Sequence, residues 1–458
     1  MNAPLPRFAD LAGRRVAVWG YGREGRAALR ALARRLPRQS LTLWCGADEA
    51  AVARAEHPAL AVLDAAPDAA ALAQFDWVIK SPGISAYRPE IAAAQARGTR
   101  FISGTALWFG ERAEARVVGV TGTKGKSTTS ALLAHLARAL GWRTALAGNI
   151  GLPLLELLDD AAALWVLELS SFQTGDSGPL ALGVITNLHE EHLDWHGTPQ
   201  RYRADKLRLA GAARTLLVDA AQPALLDATA VHPARRLYGE ARGWHVAQGA
   251  LWRADTRVFD LAQFALPGAH NARNACAALG ALEILGGDAV AAAPALARFR
   301  GLPHRLQWLG ARDAITWIDD SISTTPEATR AALESLPGAT VTLILGGHER
   351  GLDWAPFATW LAAHAPHAVI AQGANAARIA AALHVAGLAP PCADDLEAAL
   401  RLARTLTAPG GVVLLSPGAP SFDQFRDYAA RGRRFAELAG FDPAALAMAG
   451  EIAGLGIA

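Results

Sequence analysis

Cysteine is scarce. Cys45, Cys276 and Cys392 are the only three in 458 residues. They are odd in number, far apart, and match neither a C-x-x-C pair nor a zinc-ligand spacing, so a disulfide scaffold is excluded and a reduced, cytoplasmic setting is expected. Excess charge of one sign is lacking too, with 44 Lys plus Arg against 42 Asp plus Glu. Without a basic field, neither nucleic acid nor a membrane surface is expected as a partner. No uncharged apolar run reaches about 18 residues, which argues against a spanning helix. The opening MNAPLPRFADLAGRRVAVWG has no basic start, apolar core and small-residue cleavage site, so no export signal is expected. Fixed-period repeats are missing despite the abundance of alanine, which reads as helix-forming composition.

What is present describes a compact globular chain, 52% apolar and 19% charged. Its length predicts two or three domains. The first segment alternates β-branched runs with alanine-rich stretches: RRVAVWG, EGRAALRALARRL, SLTLWC, DWVIKSPGIS, TRFISG. Strand and helix in alternation predict a doubly wound parallel sheet. A second α/β unit starts near residue 114 with RVVGV, LWVLEL and LGVITNL, apolar enough for a buried parallel sheet. The stretch 235–268 reads as peripheral hairpins, and HNARNACAALGALEIL as a strong helix. After Gly301-Leu302-Pro303-His304-Arg305 come ITWIDD, TVTLILGG, AVIAQG and GVVLLSPG. The expectation is an α/β protein of three domains, 1–113, 114–301 and 302–458. The first and third are expected to be Rossmann-like; the second, a mostly parallel sheet whose first strand runs into VGVTGTKGKS at 118–127, is expected to be of the phosphate-loop ATPase type.

Gly20-Tyr21-Gly22-Arg23-Glu24-Gly25 is a G-x-G-x-x-G at a strand-to-helix junction, where backbone N–H groups and the helix dipole favour a phosphate. On the motif alone, a tight turn without ligand stays open. A nicotinamide site would need an acidic residue ending the second strand; Asp48 follows a glycine and sits late. Ser81-Pro82-Gly83-Ile84-Ser85 ends another strand and could close over the same crevice.

Gly119-Val120-Thr121-Gly122-Thr123-Lys124-Gly125-Lys126-Ser127 ends in the G-K-[S/T] of a phosphate loop, again between strand and helix. Glycines let N–H groups converge on phosphate oxygens, Lys126 reaches terminal phosphates, and the Ser127 hydroxyl suits Mg²⁺. Valine at 120 makes the loop a variant of the strict form. Glu168 ends an apolar strand, where a carboxylate is costly unless it meets a cation. Asn187 through His196 gathers His189, Glu190, Glu191, His192, Asp194 and His196 beyond the next strand. Lys206 lies in a helical stretch whose other basic residues are arginines, and by default it reads as a surface lysine.

In this order, T-G-T-x-G-K-S, GNIGLP at 148–153, LELSSFQ at 167–173, HLDWH after NL, Y-x-x-x-K at 202–206, HNxxN at 270–274 and GLPHR at 301–305 resemble the Mur ligase family over essentially the whole chain. LLSPGAPSFDQFRDYAARG at 414–432 is most similar to the branch that adds glutamate to UDP-N-acetylmuramoyl-L-alanine. The resemblance implies an ATP-dependent, Mg²⁺-using ligase of peptidoglycan precursor synthesis. ATP would be held by Gly122, Thr123, Lys124, Gly125, Lys126, Ser127 and Thr128, with Asn149, Asn271, Arg305 and Asp320. Metal would be held by Ser127, Glu168, His192 and Lys206, the last expected to be carbamylated. Lys126, His192 and Lys206 are the implied catalytic residues. The resemblance further implies Gly20, Tyr21, Gly22, Ser81 and Gly83 at the uridine diphosphate, and Thr324, Arg350, Ser421 and Phe422 at the other substrate groups. A monomer is expected.

The sequence departs from the D-glutamate-adding pattern around the incoming amino acid. Asp319-Asp320-Ser321-Ile322-Ser323-Thr324-Thr325-Pro326 has Ile322 for a lysine, Arg350 stands nearest the position that a carboxylate-binding lysine holds in that branch, and Lys124 replaces an asparagine. With the TKGKS, DSISTTP and GLDW blocks, these changes resemble a subgroup that joins L-glutamate, a separate epimerase inverting that residue afterwards. L-glutamate is the expected substrate, with D-glutamate the alternative and a folate polyglutamate synthase-like ligase the more distant one. A nicotinamide oxidoreductase and a non-enzymatic nucleotide sensor are the readings from other classes.

Overall fold

The computed structural model describes residues 5–150, 152–189, 193–264, 266, 268–299, 301–349 and 351–444, without the side chains of Asp48, Leu193 and Asp194. These residues form two compact units, one reaching Ala297 and the other starting at Arg298.

Two parallel sheets share the first unit. The N-terminal one contains β1 (Val16–Trp19), β2 (Leu41–Trp44), β3 (Ala61–Leu63), β4 (Trp77–Lys80) and β5 (Arg100–Ile102), ordered β3-β2-β1-β4-β5. All four ladders are parallel. The winding direction reverses between β1 and β4, and a crevice opens there beyond the strand ends. Gly20 and Ser81 occupy those ends, with the Ser81 N–H donating to the Trp19 carbonyl at 2.9 Å.

The next sheet contains β6 (Val117–Thr121), β7 (Thr144–Gly148), β8 (Leu164–Glu168), β9 (Leu180–Ile185), β10 (Ala213–Asp219) and β11 (Arg235–Tyr238), ordered β11-β10-β9-β6-β8-β7. β6, β7 and β8 are buried along their whole length. This accounts for the nearly unbroken apolar sequence of β6 and β8, since strands covered on both faces need no alternation. Trp108, on the helix Gly104–Glu111, meets Trp165 of β8 with ring centroids 4.8 Å apart, so the two sheets share one core.

The hairpin expectation for 235–268 is corrected at its start. β12 (Trp244–Ala247), β13 (Ala250–Arg253) and β14 (Thr256–Asp260) do form an antiparallel meander. β11 instead pairs in parallel with β10, Leu216 opposite Arg235. Its two arginines make it a charged edge strand, which hides the parallel-sheet signature of an apolar run.

In the second unit β15 (Gln307–Arg312), β16 (Ile315–Asp319), β17 (Val341–Leu345), β18 (Ala368–Gln372), β19 (Cys392–Ala393) and β20 (Val412–Leu415) are ordered β15-β16-β20-β17-β18-β19. Only β15 is antiparallel. Separate apolar clusters cover the two faces, one around Leu343 and Leu414 and one around Ile344 and Val413. The α/β class and three parallel-sheet architectures match the sequence-based expectation. No described helix is long and apolar enough to cross a membrane.

Candidate active site

The loop after β6 turns through Gly122 (φ 148°) and Gly125 (φ 81°) into the helix Lys126–Ala139. A Cβ at Gly122 would lie 2.0 Å from Thr186 Oγ1, and one at Gly125 would lie 2.4 Å from Asn274 Oδ1. Both glycines are therefore set by backbone angle and by close neighbours. Asn187 Oδ1 accepts from the N–H groups of Thr123 (3.0 Å) and Lys124 (2.8 Å), and its amide donates to the Lys124 carbonyl at 2.9 Å. Thr186 Oγ1 donates to that carbonyl at 2.6 Å, and Thr123 Oγ1 donates to the His189 carbonyl at 2.8 Å. Such bracing gives the loop one conformation, with Lys126 Nζ donating to the Thr123 carbonyl at 2.8 Å. Ser127 is buried, and Thr128 is half-buried in the first turn of the helix.

Two further predicted groups converge here. Glu168 ends β8 opposite Val120 of β6, and its Oε1 accepts from Asn149 Nδ2 at 2.8 Å. Its Oε2 is buried with no hydrogen-bond partner among the described residues. A buried carboxylate oxygen without a donor is costly, and a hard divalent cation is the partner its chemistry fits. Lys206, on the helix Pro199–Ala212, contradicts the surface default: it is 2% exposed and donates to the Gly122 carbonyl at 2.6 Å. Its ammonium also lies 4.9 Å from the Tyr202 ring centre. Asn271, in the first turn of the helix Ala269–Ile284, neighbours Asn274, whose Oδ1 accepts from Thr129 Oγ1 at 3.3 Å. His192, Glu190 and Glu191 lie outside the described residues.

At the N-terminal crevice Gly20 has φ 103°, and a Cβ there would lie 2.5 Å from Ser81 Oγ, itself buried with no hydrogen-bond partner among the described residues. Gly22 caps the helix Arg23–Arg35, and Gly83 is exposed, two residues after Ser81. Tyr21 contributes backbone to the turn, because its ring is buried and its hydroxyl donates to Glu56. Burial pushes Glu24 up to about 7, with Arg23 opposing and Glu156 reinforcing the shift.

Within the second unit, loops after β16, β17 and β20 meet at one sheet edge. Arg431, 1% exposed, donates to the carbonyls of Ser321 (2.9 Å), Ala419 (2.8 Å) and Pro420 (3.1 Å). Burial brings its guanidinium down to about 10. Asp320 accepts from Ser416 Oγ (2.7 Å), Ser323 Oγ and the Leu306 N–H (3.1 Å), while burial raises it to about 6. Ser421 is buried, Phe422 and Arg305 are exposed, and Thr324 is half-buried. Arg350 lies outside the described residues.

Sequence reasoning placed Arg431, Asn274 and Asn187 within motifs but gave them no supporting role, because none of these contacts is local. It also missed a buried triad: His196 Nδ1 bonds Asp205 Oδ2 at 2.8 Å and His196 Nε2 bonds Ser171 Oγ at 2.9 Å.

A phosphate loop at the head of a parallel sheet, with a buried carboxylate and a buried lysine beside it and a Rossmann-like sheet sharing its core, is the architecture of a nucleotide-using α/β enzyme, and the chain belongs to the Mur ligase family of ATP-dependent ligases. Residues 120–282 match the Mur ligase middle domain, and residues 304–418 match the Mur ligase, glutamate ligase domain. Among relatives, the UDP-N-acetylmuramoyl-L-alanine–L-glutamate ligase of Xanthomonas euvesicatoria pv. vesicatoria is 52% identical, covering 98% of this chain and 100% of its own. The protein of that name from Micromonospora sp. is 42% identical, over 94% and 97%. Among solved structures, the UDP-N-acetylmuramate-alanine ligase of Thermotoga maritima superposes with TM-score 0.55 at 20% identity, covering 93% of this chain and 98% of that one, and so shares the fold.

Proposed function

We propose that the protein joins L-glutamate to UDP-N-acetylmuramoyl-L-alanine with ATP, through an acyl phosphate. The observation that carries this is the pairing of a braced phosphate loop with the buried Glu168 Oε2, which has no hydrogen-bond partner among the described residues, and the buried Lys206. ATP would lie along the N–H groups of Gly122 to Thr128, with Asn149, Asn271, Arg305 and Asp320 as further contacts. Ser127 and Glu168, with His192, would hold Mg²⁺, which when bound offsets the charge of the phosphates and the carboxylate. The neutral Nζ of Lys206 would add to the carbon of CO₂ and release a proton, converting an ammonium into an anionic oxygen ligand.

In the first step an alanyl carboxylate oxygen takes the γ-phosphoryl group and ADP leaves; Lys126 offsets charge on the transferring group. The glutamate amine then attacks the carbonyl carbon, loses a proton, and phosphate departs with one former carboxylate oxygen. The Gly20 turn and Ser81-Gly83 would hold the uridine diphosphate, and Thr324, Arg350, Ser421 and Phe422 would serve the amino-acid side. The domains would be 1–113 for UDP-substrate, 114–301 for ATP and 302–458 for glutamate, in a cytoplasmic monomer whose product goes to a separate epimerase.

L-glutamate is favoured over D-glutamate by Ile322, Arg350 and Lys124 at positions where the D-adding pattern differs, and by the names of the relatives. Arginine and lysine present different donors to a carboxylate. The test is phosphate release from purified protein with ATP, UDP-N-acetylmuramoyl-L-alanine and each enantiomer. Release with L-glutamate is expected; release with D-glutamate alone would overturn the assignment.

A further inference from the structure

A chain of polar side chains crosses the junction between the two sheets of the first unit. Tyr87, seven residues beyond β4, donates its hydroxyl to Asp205, with oxygen distances of 2.8 and 2.7 Å. Asp205 Oδ2 holds His196 Nδ1 at 2.8 Å, and His196 Nε2 meets Ser171 Oγ at 2.9 Å. Arg208 Nε lies 3.4 Å from the same carboxylate. Because the carboxylate accepts, Nδ1 carries the ring proton, and in the neutral ring Nε2 accepts from Ser171. His196 is fully buried, and Ser171 and Asp205 are each 4% exposed. Trp195 adds a parallel tie: its Nε1 donates to the Pro82 carbonyl at 3.0 Å and its carbonyl accepts from Ser85 Oγ at 2.6 Å. Phe172 stacks on Trp195 at 4.5 Å.

The ends of this chain matter for what they sit beside. One end is Tyr87, whose N–H donates to Ser85 Oγ at 3.2 Å and so ties the chain to the Ser81–Ser85 turn. The other is Ser171, three residues after Glu168, and Asp205 immediately precedes Lys206. We infer that His196 is a positioning residue for the UDP-linked substrate: through Asp205 and Tyr87 on one side and Ser171 on the other, it holds the Ser81–Ser85 turn in register with the end of β8. This rests on the functional reading above. Its buried part, His196, Asp205 and Ser171, specifies one arrangement, and Tyr87, 38% exposed, joins it from the surface; loss of a buried link leaves its partner short of a hydrogen bond.

The test uses the full chain and four variants, Tyr87→Phe, His196→Phe, His196→Gln and Ser171→Ala. His196→Phe is expected to raise the KM for UDP-N-acetylmuramoyl-L-alanine about tenfold while the KM for ATP stays within about twofold, and His196→Gln, which keeps a donor and an acceptor, is expected to recover part of the loss. Tyr87→Phe and Ser171→Ala combined should cost less than the product of their separate effects, because each breaks the same chain. Hydrogen exchange supplies a readout free of activity: amides of 81–88 should lose protection in His196→Phe and keep it in His196→Gln. Equal rises in both KM values, or unchanged protection at 81–88, would overturn the inference. If wild-type protein releases no phosphate with the UDP-substrate, the functional reading fails, and the exchange result alone decides the chain.

Discussion

Lysine occurs at four positions, Lys80, Lys124, Lys126 and Lys206, while arginine carries the rest of the positive charge. Two of the four lie in the phosphate loop, and Lys206 is buried against it. Lys80 ends β4 beside the Ser81 turn, where burial lowers its amine to about 8 and the ammonium donates to the Ile84 carbonyl at 2.6 Å. An arginine-rich chain that keeps lysine at these places uses it where a compact amine is required. This signal was present in the sequence, but it gains weight only once burial separates Lys206 from a surface residue. Lys206→Ala is expected to lower kcat about a hundredfold or more, with partial recovery by short carboxylic acids, measured as phosphate release. Full activity without added acid would remove Lys206 from the mechanism. Glu24 gives a pH prediction. Its carboxyl is held at about 7 in the folded protein against an ordinary 4.5, so the folded state keeps a proton that the unfolded chain has lost. Stability from this group is full below pH 4.5 and falls as pH rises through 7. Glu24→Gln should therefore raise Tm at pH 8 and leave it unchanged at pH 4, as read by thermal unfolding.

Elements legible from sequence were those with local signatures: apolar strands ending in glycine, and the alanine-rich helix at 269–284. β7 and β10 lie in stretches, RTALAGN and ARTLLVD, whose polar residues broke the apolar run, and β11 was hidden by Arg235 and Arg236. The loop residues of the candidate site were legible because glycine and G-K-S spacing are local. Their supports were not, since Asn187 and Asn274 reach the loop from 63 residues and more away along the chain. Arg431 illustrates the same limit in the second unit, where one fork on the helix Tyr428–Ala439 ties the loops after β16 and β20 together. An ammonium cannot span three carbonyls with the same geometry, so Arg431→Lys should destabilise the protein by about 2–3 kcal/mol in denaturant unfolding and raise the KM for glutamate. Unchanged stability would show that the fork holds nothing that matters. At the loop itself, Gly125→Ala meets a left-handed backbone and Asn274 Oδ1 together. It should raise the KM for ATP at least about tenfold, and a normal ATP KM would contradict the bracing account.

For the whole molecule, each of the three sheets ends in loops at one edge, where ligands bind in folds of this class. The Gly20 and Ser81 turns belong to the first sheet, the phosphate loop to the second, and the loops held by Arg431 to the third. The central claim is that a triphosphate on the loop at 122–128 activates a carboxyl group for attack by an amine. Isotope transfer tests it most directly. With UDP-N-acetylmuramoyl-L-alanine carrying ¹⁸O in both carboxylate oxygens, mass spectrometry of the phosphate released during turnover with ATP and L-glutamate should find one ¹⁸O per phosphate. Turnover that releases unlabelled phosphate would mean that the carboxylate never took the phosphoryl group, and the account would be wrong at its centre.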